Sequence, residues 1–180
     1  MTTIDFLLQR QSTPLLTTPS PSQDEVNQIL AAGMRVPDHA GLQPWHFTVV
    51  TGEGLQQLSD LFVQSSDTEN ANLAKVAKMP FRAPMIIVVS TVFVSHEKVP
   101  KQEQLITAGC CAHAMQMASV ALGFGAMWRT GNLAYNTTVK QGLSIKEQDE
   151  IIGFLYIGTA CKEQGLKASK PFDNKVSYWK

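Results

Sequence analysis

Ala108-Gly109-Cys110-Cys111-Ala112-His113-Ala114-Met115-Gln116-Met117-Ala118-Ser119-Val120-Ala121 is apolar or small on nearly every side. A helix from about Lys101 to Leu122 carrying that segment is expected to be buried around most of its girth, at the centre of the fold and not on its surface. Gly123-Phe124-Gly125 ends it, and Ala126-Met127-Trp128 begins a strand. Downstream, the pattern predicts a short helix around 137–143 and a strong strand over Ile151–Gly158. Upstream, Met85-Ile86-Ile87-Val88-Val89 is a continuous apolar run, as in a strand covered on both faces. Before it stand one or two helices over 55–78, with a polar break around Ser65–Asn72. His46-Phe47-Thr48-Val49-Val50 reads as another strand, stopped by Gly52-Glu53-Gly54.

The N-terminal part is helical. Thr2-x-x-Asp5 and Ser22-x-x-Glu25 are capping boxes, the first ahead of Ile4, Leu7 and Leu8, the second ahead of Val26, Ile29 and Leu30. Pro14, Pro19 and Pro21 make 13–21 an extended connector. Helices come first, then strands separated by helices of unequal length. This order predicts an α+β fold, an antiparallel or mixed sheet sandwiched by helices around a long buried central helix.

The chain has 180 residues, which fits a single domain spanning 1–180. A core of that size needs no disulfide or metal staples. Fifteen basic and fifteen acidic side chains leave no net charge to attract nucleic acid or acidic lipid, so neither is an expected partner. No run of about 20 apolar residues is present, and Met1–Asp5 lacks the plan of a secretory signal. The cysteines, Cys110, Cys111 and Cys161, form no disulfide framework. A cytoplasmic location is the expectation. The tail from 159 onward is basic, with five Lys against Glu163 and Asp173.

His39, His46, His96 and His113 show no metal-ligand spacing, and no metal is expected. Ser95-His96-Glu97-Lys98 lacks the companion motifs of Ser-Lys enzymes. Gly123-Phe124-Gly125 closes a helix where a dinucleotide fingerprint would open one. The adjacent cysteines read as small apolar packing groups. Lysines number 11 but arginines only four, Arg10, Arg35, Arg82 and Arg129, so each arginine is a candidate for a task needing a planar cationic fork. Arg10-Gln11-Ser12 sets a cation and a hydroxyl at a helix end, the makings of a phosphate grip. The rigid loop from Arg35 to Trp45 gathers Arg, Asp, His, Gln and Trp, a set suited to a planar polar ligand.

Over residues 4 to about 160 the chain resembles the FMN-dependent nitroreductases, most closely the small bacterial members. Four motifs in order carry the resemblance: Arg10-Gln11-Ser12; Pro37-Asp38-His39 leading into Gln43-Pro44-Trp45-His46-Phe47; Gly123 to Gly131; and Gly153-Phe154-Leu155-Tyr156-Ile157-Gly158. Gln11 stands where the family usually has a second basic residue, and Pro37-Asp38-His39 replaces the Pro-Ser-x-x-Asn of larger members.

The resemblance implies a homodimer with FMN in the subunit interface. Arg10, Gln11 and Ser12 would hold the phosphate and ribityl chain, Arg35 and His39 would reach the flavin from the partner subunit, and Trp128, Arg129 and Thr130 would lie along its other edge. Ala118, Ser119, Val120, Ala121, Leu122 and Gly123 would border NADH or NADPH. The implied activity is hydride transfer from the nicotinamide through the flavin to a nitroaromatic or quinone-like acceptor, with no catalytic side chain required because the chemistry is the flavin's. An enal or halogenated acceptor, a non-catalytic flavin-binding protein and a thiol enzyme using Cys110 are the alternatives.

Overall fold

The computed structural model describes residues 2–66, 71–162, 165 and 168–180. The middle of the polar break and, in the basic tail, Glu163 and Lys167 lie outside the described residues. The helices are α1 (Thr3–Gln9), α2 (Gln23–Gly33), α3 (Glu53–Gln64), α4 (Leu73–Ala77), α5 (Lys101–Ala121) and α6 (Thr137–Gly142). The strands are β1 (Leu16–Thr17), β2 (Trp45–Thr51), β3 (Met85–Thr91), β4 (Gly125–Arg129) and β5 (Ile151–Ala160). Both capping boxes form: Thr2 Oγ1 accepts from the Asp5 amide and Ser22 Oγ from that of Glu25, while each acidic side chain accepts from its cap residue.

Every strand pairing is antiparallel. The long strand β5 pairs with β3, beyond which lies β2, and it also pairs directly with β4 and with β1. All of β3 is buried, and its alternation shows why the run is apolar throughout. Ile86 and Val88 pack with Leu58, Phe62 and Val139 of α3 and α6. Met85, Ile87 and Val89 pack with Ile29 of α2 and Ala108, Cys111 and Met115 of α5. The sheet is therefore sandwiched by helices, as the order of elements predicted.

Two details refine the sequence reading. The connector 13–21 contains the two-residue strand β1, whose Leu16 and Thr17 pair with Ala160 and Thr159. Helix α5 buries one stripe, which includes Gln104, Ala108, Cys111, Met115 and Ser119. Gln104 belongs in that stripe because its amide is satisfied: Oε1 accepts from the Val94 amide at 2.9 Å and Nε2 donates to Val94 O and Val99 O. The opposite stripe is open, with Ile106 59% exposed and Leu105, Cys110 and His113 exposed too. Thus Cys111 packs as an apolar group, whereas Cys110, expected to do the same, does not: consecutive helical residues lie about 100° apart and cannot share a face. No helix among the described residues is long and apolar enough to cross a membrane.

Candidate functional site

Helix α1 ends at Arg10, whose backbone leaves the helical region (φ −53°, ψ 130°). The chain then runs beside β4, where the Thr13 amide donates to Ala126 O at 2.9 Å. Gly125 permits this approach, since a Cβ there would stand 2.6 Å from Leu16 Cδ2 and 2.9 Å from Thr13 Cγ2. At the other end of β4, Arg129 Nη2 donates to Pro14 O at 3.4 Å, and its guanidinium sits 5.5 Å from the centre of the Tyr156 ring. The fold thus joins Thr13 and Pro14, just after Arg10–Ser12, to Ala126 and Arg129 of β4, more than a hundred positions away.

Two guanidinium nitrogens of residues around this junction, Arg10 Nη1 and Arg129 Nε, are buried and have no hydrogen-bond partner among the described residues. A buried donor left unsatisfied costs roughly 1–3 kcal/mol. Planar cationic donors are also the groups that meet phosphate and other oxyanions. The junction therefore has the chemistry of an anion site. Burial, and then the nearby charge of Arg82, hold the Arg129 guanidinium below its ordinary pKa. Gln11 Nε2 is already committed, donating to Gly165 O at 2.8 Å. Trp128 Nε1 donates to Ile152 O at 3.1 Å, and a Cβ on Gly153 would overlap that nitrogen. The indole is seated against β5 by a missing side chain.

Arg35 and His39 lie on the loop between α2 and β2. Ala40, Gly41 and Gln43 there all have left-handed backbone (φ 63°, 65° and 48°). The loop holds that shape because Asp38 Oδ2 accepts from the Gln43 amide at 2.7 Å and His39 Nδ1 lies 2.7 Å from Glu103 Oε2. His39 is thereby fastened to the start of α5. Within Ala118–Gly123, Ser119 is fully buried and its hydroxyl donates to Met115 O, so the side chains open to solvent contact lie elsewhere in the stretch; Ala121 and Gly123 are exposed.

No sequence motif connects Arg82 to the site, and none marks Glu103. Arg82 lines a cavity of about 350 Å³ with Arg129 and Tyr156. Rarity among the charged residues was its only signal, while Glu103 carried none.

The model of the nitroreductase family matches residues 7–159. YdjA of Escherichia coli K12, assigned as an NAD(P)H nitroreductase, is 43% identical over 162 residues, covering 88% of each chain. A nitroreductase-like protein from Bacillus cereus superposes with a TM-score of 0.86 at 23% identity, over 99% of this chain and 96% of that one. A nitroreductase from Bacteroides fragilis with bound FMN gives 0.75 at 19% identity, over 98% of each. The chain belongs to the nitroreductase family.

Proposed function

We propose that this protein is an FMN-dependent oxidoreductase that takes hydride from NADH or NADPH and reduces a nitroaromatic or quinone-like acceptor. One observation supports this reading most directly: Arg10 Nη1, just after α1, and Arg129 Nε, at the end of β4, are buried guanidinium nitrogens with no hydrogen-bond partner among the described residues. YdjA, with which the chain shares 43% identity, is assigned as an NAD(P)H nitroreductase, and the B. fragilis relative carries FMN in the same fold.

In this reading Arg10 and Ser12 hold the phosphate, with Gln11 tying the tail to the same segment through Gly165. Arg129 and the backbone of Trp128–Thr130 face the flavin edge, where a cation favours the charge that accumulates on reduction. Bound FMN supplies the two-electron chemistry, while the chain binds, orients and excludes water. Ala121 and Gly123, the exposed part of the α5 terminus, border the nicotinamide.

The site is completed by a second copy of the chain. The open stripe of α5 and the exposed Phe172, Val176, Tyr178 and Trp179 of the tail are apolar surface of the kind a homodimer covers. Arg35 and His39 then reach the partner's flavin. The decisive experiment is anaerobic reduction of purified protein by each nicotinamide, followed by a panel of nitroaromatic, quinone and enal acceptors. A flavin spectrum bleached by NADH or NADPH and restored by a nitroaromatic or quinone is the expected result. Protein that carries no flavin, or flavin that neither nicotinamide reduces, refutes the reading.

A further inference from the structure

Met34 caps the C-terminus of α2, and Trp45 is the first residue of β2. The loop carrying Arg35 and His39 runs between them, and one side-chain bond closes its base: Trp45 Nε1 donates to Met34 Sδ at 3.1 Å. The two ends of that bond sit in different surroundings. Trp45 is 8% exposed and belongs to the core between the sheet and helices α2 and α5, whereas Met34 is 44% exposed. Among the described residues Met34 is the one exposed methionine; Met85 and Met115 are buried, and Met79, Met117 and Met127 are partly so. The thioether most open to an oxidant is therefore the one that holds the base of this loop. Its backbone has little room to yield, because the Met34 amide donates to Leu30 O and the Arg35 amide to Ala32 O. A change at the sulfur is passed to Trp45 and the loop.

We infer that Met34 is an oxidation site whose chemical state sets the conformation of the loop from Arg35 to Trp45. The oxidant is a peroxide. With hydrogen peroxide, the sulfur lone pair forms an S–O bond as the O–O bond breaks. The peroxide is reduced to water, which keeps both its protons, and the thioether is oxidised to the sulfoxide. The sulfoxide is polar and bulkier than the thioether, and its oxygen competes for the space where the indole N–H now meets sulfur. The loop is sensitive to such a change: Ala40 and Gln43 are non-glycine residues in left-handed backbone, a conformation kept only where the surroundings enforce it. The consequence for the cofactor rests on the proposed function, in which Arg35 and His39 reach the flavin.

Limited treatment of the flavin-loaded protein with hydrogen peroxide tests this. A thiol reductant added afterwards returns reversibly oxidised Cys110 and Cys161, both exposed, and leaves the sulfoxide in place. Peptide mass spectrometry should find oxygen on Met34 well before Met79, Met117 or Met127. Tryptophan emission should change in step with that product and return when methionine sulfoxide reductase removes the oxygen. Flavin binding should weaken roughly 2- to 10-fold, as for loss of one neutral hydrogen bond, and recover with the reductase. In Met34→Leu the same treatment should alter neither emission nor flavin binding, and reversal in the wild-type protein reads the effect without any variant. Oxidation of the partly buried methionines ahead of Met34, or a Met34 sulfoxide with unchanged emission, would overturn the inference. So would equal changes on treating Met34→Leu. A reversible emission change with unaltered flavin affinity would uphold the oxidation site and instead refute the placing of Arg35 and His39 on the flavin.

Discussion

Nδ1 of His39 lies 2.7 Å from Oε2 of Glu103, a bond that fastens the loop between α2 and β2 to the first turn of α5. With a carboxylate as acceptor, Nδ1 carries the proton and donates, which fixes the ring's orientation and leaves Nε2 facing outward. The side chains are 57% and 47% exposed, so the pair contributes only about 0.2–1 kcal/mol to stability. Its effect is on direction. Glu103→Ala is expected to lower Tm by no more than about 4 °C yet weaken flavin binding by a larger margin than Glu103→Gln, which can still accept the bond. Nitrogen NMR of His39 should show the Nδ1–H tautomer in the wild type. An Nε2–H tautomer, or equal flavin affinity in both variants, contradicts the positioning role.

Arg10→Ala should act mainly on the cofactor. A hydrogen bond to a charged group contributes about 1.5–3 kcal/mol, so flavin retention should fall roughly 10- to 150-fold. Because Arg10 Nη1 is buried without a partner, the flavin-free chain should lose little stability when the guanidinium is removed. Ser12→Ala should follow with a smaller loss. Dialysis followed by flavin absorbance reads the outcome, and full retention by Arg10→Ala refutes the phosphate role.

Much of this arrangement is legible in the sequence, and the exceptions share a cause. The run at 85–89 announced a strand covered on both faces because each of its side chains has a core to enter. The capping boxes at Thr2 and Ser22 were legible because they are local hydrogen-bonding patterns. Strand β1 was not, since two residues flanked by prolines gain strand geometry only by pairing with Thr159 and Ala160. The open stripe of α5 was hidden by its own composition, because small and apolar residues occupy both the buried and the exposed sides. Arg82 and Glu103 depend on residues distant in sequence, Arg129 in one case and His39 in the other, and no local pattern marks such a meeting.

Gly153→Ala is expected to disturb the site from beneath. A Cβ at this position would overlap Trp128 Nε1 and come within 2.9 Å of Arg129 O, so the indole must leave its seat and release the bond to Ile152 O. Overpacking of this sort costs typically about 1–3 kcal/mol. The variant should show a lower Tm, a changed tryptophan emission and weaker flavin binding together. Unchanged flavin affinity in a destabilised variant would separate Trp128 from the cofactor site.

The cysteines should report on the open stripe. Burial pushes the Cys111 thiol up to about 12, with the neighbouring Cys110 and Asp38 adding to the shift, so it should react with a disulfide reagent only on unfolding. Cys110 and Cys161 are exposed in the single chain. If a second copy covers α5, Cys110 should be protected at high protein concentration and react on dilution, whereas Cys161 reacts quickly throughout. Cys110→Ala and Cys111→Ala should both retain turnover, the latter with a stability loss of about 1 kcal/mol. Loss of reduction by nicotinamide in flavin-loaded Cys110→Ala would point instead to a thiol enzyme.

Flavin binding and dimerisation should be linked. Arg10 and Ser12 directly precede Thr13, which bonds to β4, whereas His39 is fastened to α5, so if one flavin touches the first pair in one chain and His39 in the other, a monomer holds half a site. The surface needed for association is at hand: Leu105 and Ile106 on α5 are open, and Trp179 in the tail is 99% exposed. A ligand that binds only the dimer stabilises it by mass action, by about 2.7 kcal/mol when free FMN is 100 times its dissociation constant. Sedimentation across a dilution series, with and without excess FMN, measures the coupling. The dimer should persist to lower protein concentration with flavin present, and diluted flavin-free protein should bind FMN more weakly than concentrated protein. Ile106→Glu, which places a charge on the open stripe, should shift both curves together, since it weakens association without touching Arg10 or Ser12. A monomeric Ile106→Glu protein that binds FMN as tightly as the wild-type dimer would show that each chain owns a whole site.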